Sequence, residues 1–332
     1  MLDYRPKMFS EASKSHASKN FFTIIICFLA VFIIILILES LSSAVFSSKT
    51  VLENAEIQEY VQTSPTFDLK EMWKVAAKAA GSPRVMVPSL FSTIFGTLAS
   101  LFYCRCVEMR PVRSMGARKK GFFFHYLTGL AAGMLLMSVL ALSSAALGIT
   151  RIKLCSNISY GWIALFFLGF IVQGMSEEFI FRGYLMTSIG GSGQKTYVAV
   201  IVSAVAFALA HISNPGFGVL PFINLTLFGV FAALYMINSD NIWGVCAIHS
   251  MWNFAQGNIY GISVSGSSEL QSFMESVPVS AHAFLTGGKF GIEGSLITTV
   301  VLCAGTALML YLISKKAPTA EEAAPEAVNE NA

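Results

Sequence analysis

Between Phe21 and Leu38 the chain runs apolar without a single charged side chain, and several later stretches stay apolar for about 20 residues. That length crosses a hydrocarbon layer about 30 Å thick, and backbone groups inside lipid must satisfy one another, so such stretches fold as helices. Composition makes the bilayer the main solvent: 55% of residues are hydrophobic and 12% charged, against about 25% charged in an average soluble domain. Mean hydropathy is +0.64. The fold class predicted is an all-α polytopic membrane protein of about eight transmembrane helices, bundled around an intramembrane polar cavity. The Phe21–Leu38 run exceeds the roughly 7–15 residues of a signal-peptide core and reads as a retained span, with cleavage at Ser42-Ser43-Ala44 as the alternative.

Spans are expected at roughly 21–45, 85–104, 121–148, 162–189, 196–213, 217–238, 241–260 and 291–314. Basic residues gather at span ends: Arg5, Lys7, Lys14 and Lys19, then Arg105, Arg110, Arg113, Arg118, Lys119 and Lys120, and finally Lys315 and Lys316. All three groups fall on one side, so the positive-inside rule puts both termini in the cytoplasm, with the plasma membrane as the expected location. A net charge of +3 spread in this way makes lipid, and no nucleic acid, the expected partner.

This divides the chain into a cytoplasmic segment at 1–20, an N-terminal transmembrane region at 21–120 with an extracytoplasmic loop at 47–84, a helical core at 121–260, a loop and last helix at 261–316, and a tail at 317–332. Phe67–Val75 has the pattern of a short interfacial amphipathic helix or a plain solvated one. The Ala-, Pro- and Glu-rich tail is too poor in apolar residues to order itself, and the Ser- and Gly-rich 261–290 connection is either a gate or a long loop. The six cysteines show no CxxC pairing, so neither a disulfide framework nor a thiolate zinc site is suggested.

The fourth span places Glu177, Glu178 and Arg182 within apolar sequence. Insertion scales charge about 2.5–3.5 kcal/mol for each such residue at mid-membrane, so three together need a reason. At about 100° per residue, Glu178 and Arg182 share a helix face and form the natural ion pair, while Glu177 points elsewhere and stays available. A buried salt bridge that only fixes packing, or a group snorkelling at the interface, are the bland accounts. Against them, the fifth span ends in Phe207-Ala208-Leu209-Ala210-His211 just before Pro215, and the seventh carries His249 and Asn253 four residues apart on one face. At about 1.5 Å per residue, Glu177, His211 and Asn253 reach similar depths.

In ordered combination, Glu177-Glu178-x-x-x-Arg182, Phe207-x-x-x-His211 and His249-x-x-x-Asn253 resemble the motifs of the CPBP family, the CAAX-protease and bacteriocin-processing membrane peptidases. The resemblance covers about residues 160–260. It implies an endopeptidase acting on a membrane-associated, CAAX-like or peptide-precursor substrate, which includes lipidated proteins. By similarity Glu177 and His211 activate a water, His249 and Asn253 form the oxyanion hole, and Glu178, Arg182 and Phe207 support the site. An apolar environment suits a glutamate to general-base work, and imidazole and amide N–H groups suit an oxyanion.

The favoured reading requires no cofactor. Members of the family are also often called metalloproteases, and a zinc ion on His211 and His249 is the second reading, although the His-Glu-x-x-His pattern is missing and asparagine is a poor zinc ligand. A proton- or ion-conducting transporter, a catalytically silent scaffold and an immunity-type binder stay open as other classes. The lack of an evident internal repeat weakens the transporter.

Overall fold

A computed structural model describes residues 4–63, 68, 81–267 and 271–316. The expected amphipathic helix at 67–75 and the tail at 317–332 lie outside the described residues, apart from Asp68. The protein is an all-α polytopic membrane bundle, and six of its described helices are long and apolar enough to cross a membrane.

A short helix α1 (Lys7–Ala12) precedes α2 (Phe21–Leu52), whose Asn20 cap accepts from the Thr23 amide. This first span runs seven residues past its expected end at 45, because nothing between Phe21 and Leu52 is a glycine or proline that would stop it. Helix α3 (Ala55–Thr63) follows. The second span is broken: α4 (Pro83–Ser92), with Pro88 inside it, stops at Thr93, and α5 (Ile94–Phe102) continues into a π-turn at Tyr103–Val107.

Helix α6 (Phe122–Ala146) leads to strand β1 (Thr150–Leu154). Helix α7 (Tyr160–Glu178) then passes through a π-helical segment, Phe179–Met186, into α8 (Thr187–Gly191), together one long span. After α9 (Thr196–Leu209) come α10 (Val219–Ser239) and α11 (Trp243–Phe254), the latter ending in a π-turn at Ala255–Ile259. Asp240 makes the tight α10–α11 corner in a left-handed conformation (φ 49°) that a short polar residue tolerates.

The expected 261–290 connection holds structure of its own: strand β2 (Met274–Pro278) pairs antiparallel with β1, and helix α12 (Ala283–Thr286) follows. The last helix, α13 (Leu296–Ser314), is capped by Ser295, so it starts five residues after the expected 291.

Glycine lets the central helices touch. A Cβ on Gly133 would lie 2.5 Å from the Ile248 carbonyl oxygen, and one on Gly129 would overlap the Gly244 carbonyl. This Gly-x-x-x-Gly stripe on α6 brings it backbone-to-backbone with α11, the close approach that drives helix association where lipid removes the hydrophobic incentive. On the other side of α11, a Cβ on Gly174 of α7 would lie 2.6 Å from the Ser250 amide nitrogen. Helix α11 is therefore clamped between α6 and α7, with His249 next to the α7 contact.

The three basic groups do gather on one end of the bundle. Arg5 donates to the Gly190 carbonyl (2.8 Å), the Met8 amide to Asp240 (3.0 Å), and Arg118 pairs with Asp240 (2.8 Å). Lys316 reaches the Asn238 carbonyl at the same end. Arg110 departs from the expected role of a free surface charge: it is fully buried, paired with Glu108 at 2.6 Å and bonded to Ser114 and Ser188. A charge neutralised inside the protein carries little topological weight, which leaves Arg105, Arg113, Lys119 and Lys120 as the exposed basic residues of that connection.

Candidate active site

Glu178 is fully buried, and one of its oxygens takes two donors: Oε1 lies 2.9 Å from Arg182 Nη1 and 2.8 Å from His249 Nδ1. The first contact is the ion pair expected from their four-residue spacing. The second is new, since the sequence placed His249 with Asn253 only. A carboxylate only accepts, so the Nδ1 nitrogen of His249 carries the proton and its Nε2 faces the next group. That group is Glu177, whose Oε2 lies 3.7 Å away.

Glu177 is partly exposed to the cavity, with 20% of its side chain accessible while Glu178 has none. Its Oε1 accepts from Gln173 Nε2, one turn earlier on α7. Gln173 in turn accepts from Asn253 Nδ2 at 2.9 Å. Four side chains from two facing helices thus form a square, with Gln173 and Glu177 on α7 opposite Asn253 and His249 on α11.

His211 sits beyond its helix. The span expected to run to 213 stops at Leu209, and His211 lies in the turn that follows, with its Nδ1 2.9 Å from the Phe207 carbonyl. A carbonyl also only accepts, so Nδ1 donates, and in that tautomer the lone pair is on Nε2. Phe207 is the hub of the aromatic packing: its ring lies 4.8 Å from the His211 ring and 5.7 Å from the His249 ring, and the Arg182 guanidinium sits 4.6 Å over its centroid. Guanidinium on an aromatic face compensates part of the desolvation of a fully buried cation.

Glu177, His211, His249 and Asn253 all line one cavity of about 160 Å³, with Gln173 and Phe207 also in its wall. Sequence reasoning missed Gln173 and Glu293. Glu293, buried in the turn before α13, accepts from Trp252 Nε1 (3.2 Å), Gln256 Nε2 (3.2 Å) and both the amide and hydroxyl of Ser265 (2.8 and 2.9 Å). It ties the 263–267 loop, which roofs the cavity through Val264, Ser265 and Ser267, to the α11 wall. The signal was available for Gln173, four residues before Glu177 and so on its face, and for Glu293, an acidic residue at the edge of an apolar run.

Residues 159–255 match the family described as Rce1-like, type II CAAX prenyl endopeptidase Rce1-like. Over this segment the chain is similar to the CAAX prenyl endopeptidases, in agreement with the resemblance of its motifs. The matched segment holds every residue of the cavity motif, from Glu177 to Asn253, and ends before the roof loop and Glu293. The family so described is one of endopeptidases. No curated protein matches the chain.

A catalytic zinc site takes three protein ligands at about 2.0–2.2 Å. Among the described residues no three His, Cys, Asp or Glu side chains converge as metal ligands.

Proposed function

We propose that the protein is an intramembrane endopeptidase in which Glu177 is the general base. The observation that supports this best is the convergence of Glu177, His211, His249 and Asn253 on one cavity inside the bundle. Glu177 Oε2, the oxygen not engaged by Gln173, removes a proton from a water that His211 Nε2 holds as an acceptor. The water oxygen bonds to the scissile carbonyl carbon, and the developing oxyanion takes N–H bonds from His249 and Asn253. Glu177 then gives its proton to the departing amine nitrogen as the C–N bond breaks.

His249 donates at Nε2 only as an imidazolium, because Nδ1 already carries the proton shared with Glu178. Two carboxylates, one guanidinium and one imidazolium sum to zero charge, the state a low-dielectric site tolerates best. Glu178 and Arg182 are positioning residues in this scheme. No step is routed through a metal. Both termini face the cytoplasm of the plasma membrane in this reading, and the substrate is a membrane-associated peptide, whether a CAAX-like lipidated chain or a peptide precursor.

The test is cleavage of a library of membrane peptides, lipidated and not, by detergent-purified protein. Products from wild type and none from Glu177→Ala support the reading. No product from any substrate, or equal products from both proteins, overturns it.

A further inference from the structure

We infer that Gln173 is a positioning residue that sets the orientation of both the base Glu177 and the oxyanion donor Asn253. The inference rests on the hydrolytic reading above and goes beyond the three sequence motifs, none of which contains Gln173.

The argument is one of hydrogen-bond polarity. A carboxylate has no proton to donate, so the Gln173 side that meets Glu177 Oε1 has to be its NH₂ group. The amide is planar, so its carbonyl oxygen then faces away from Glu177, towards α11. Asn253 meets that oxygen at 2.9 Å, and only its own NH₂ group satisfies it. The charge on Glu177 therefore dictates, through Gln173, which way the Asn253 amide is turned.

Two consequences follow for the chemistry. Asn253 keeps a second N–H free beside the cavity and holds its carbonyl oxygen away from the oxyanion, whereas the flipped amide would aim a lone pair at developing negative charge. Glu177, held at Oε1, leaves Oε2 on the side of His249 Nε2. Gln173 and Glu177 are one turn apart on α7, as are His249 and Asn253 on α11, and the Gly174–Ser250 approach fixes the spacing of the two helices. A shorter side chain at 173 would not span it.

The experiment measures kcat, KM and the pH profile of kcat/KM for wild type, Gln173→Glu and Gln173→Leu in detergent, on a peptide that wild type cleaves. Gln173→Leu, which removes both hydrogen bonds, is expected to lower kcat by about 10- to 100-fold with KM within about twofold, as for a contact realised in the transition state. Gln173→Glu keeps an acceptor for Asn253 but sets a second carboxylate against Glu177, so the acid limb of its profile moves to higher pH by about one unit or more.

A residue that only packs α7 on α11 would lower yield or thermal stability in Gln173→Leu and leave kcat per folded molecule and the pH profile of Gln173→Glu unchanged; that result overturns the inference. Should Gln173→Leu fail to fold, the near-isosteric Gln173→Glu decides on its pH profile alone. Activity abolished by Glu177→Gln but indifferent to position 173 removes this inference and leaves the hydrolytic reading standing. An inactive wild type removes both.

Discussion

His249 Nδ1 lies 2.8 Å from the same Glu178 oxygen that Arg182 holds at 2.9 Å. One buried carboxylate oxygen thereby joins the ion pair of the fourth span to the histidine of the seventh, and the two glutamates of the Glu-Glu pair divide their tasks. Glu178 contacts Arg182 and His249, and Glu177 faces the cavity.

Loss of Arg182 leaves Glu178 with His249 as its one remaining partner and leaves two carboxylates facing a single imidazolium. Breaking a buried pair costs about 3–5 kcal/mol, so Arg182→Ala is expected to fall sharply in membrane yield and thermal stability. Adding Glu178→Gln restores part of the yield, because the uncompensated charge is gone. Activity stays low in the double variant, since a neutral amide no longer holds His249 as an imidazolium. Normal yield of Arg182→Ala, measured by fluorescence-detected size exclusion, contradicts this account.

Gly174→Ala puts a methyl group 2.6 Å from the Ser250 amide nitrogen, where backbone on both sides has to move. Overpacking of this kind costs about 1–3 kcal/mol, and here it also separates Glu177 from His249. The variant is expected to lose both thermal stability and turnover. Gly161→Ala, on the same helix with open space around its Cβ, is the control and is expected to keep both. Equal behaviour of the two variants argues against the clamped-helix geometry.

Glu293→Ala removes four hydrogen bonds that hold the cavity roof. The Ser265 amide and its neighbours at 263–267 are expected to exchange hydrogen for deuterium faster, while α6 and the buried part of α11 stay protected. Unchanged exchange in the roof contradicts the role assigned to Glu293.

Much of the site is readable from the sequence because helical periodicity converts spacing into direction. Glu178 and Arg182 four apart had to meet, and the apolar runs forced helices around them. The Glu178–His249 bond was not readable, since it depends on how closely α7 approaches α11, and a lone glycine such as Gly174 states no partner. The π-helical stretch at Phe179–Met186 lies in sequence that favours an α-helix equally well. The β1–β2 ribbon did leave a trace in the alternation of Thr150-Arg151-Ile152-Lys153-Leu154. The early stop of α9, which leaves His211 in a turn, comes four residues before the span end that Pro215 suggested.

The central claim is that Glu177, acting without a metal, takes the proton from the attacking water. It is tested most directly by turnover of one identified substrate by wild type and Glu177→Gln, before and after prolonged chelation, with bound metal quantified in the same samples. The account predicts that Glu177→Gln binds substrate with no detectable turnover, because an amide accepts no proton, and that chelated wild type retains its full rate. Stoichiometric zinc in active wild type, lost together with turnover on chelation and restored with it, would contradict the account, as would a Glu177→Gln enzyme that still cleaves.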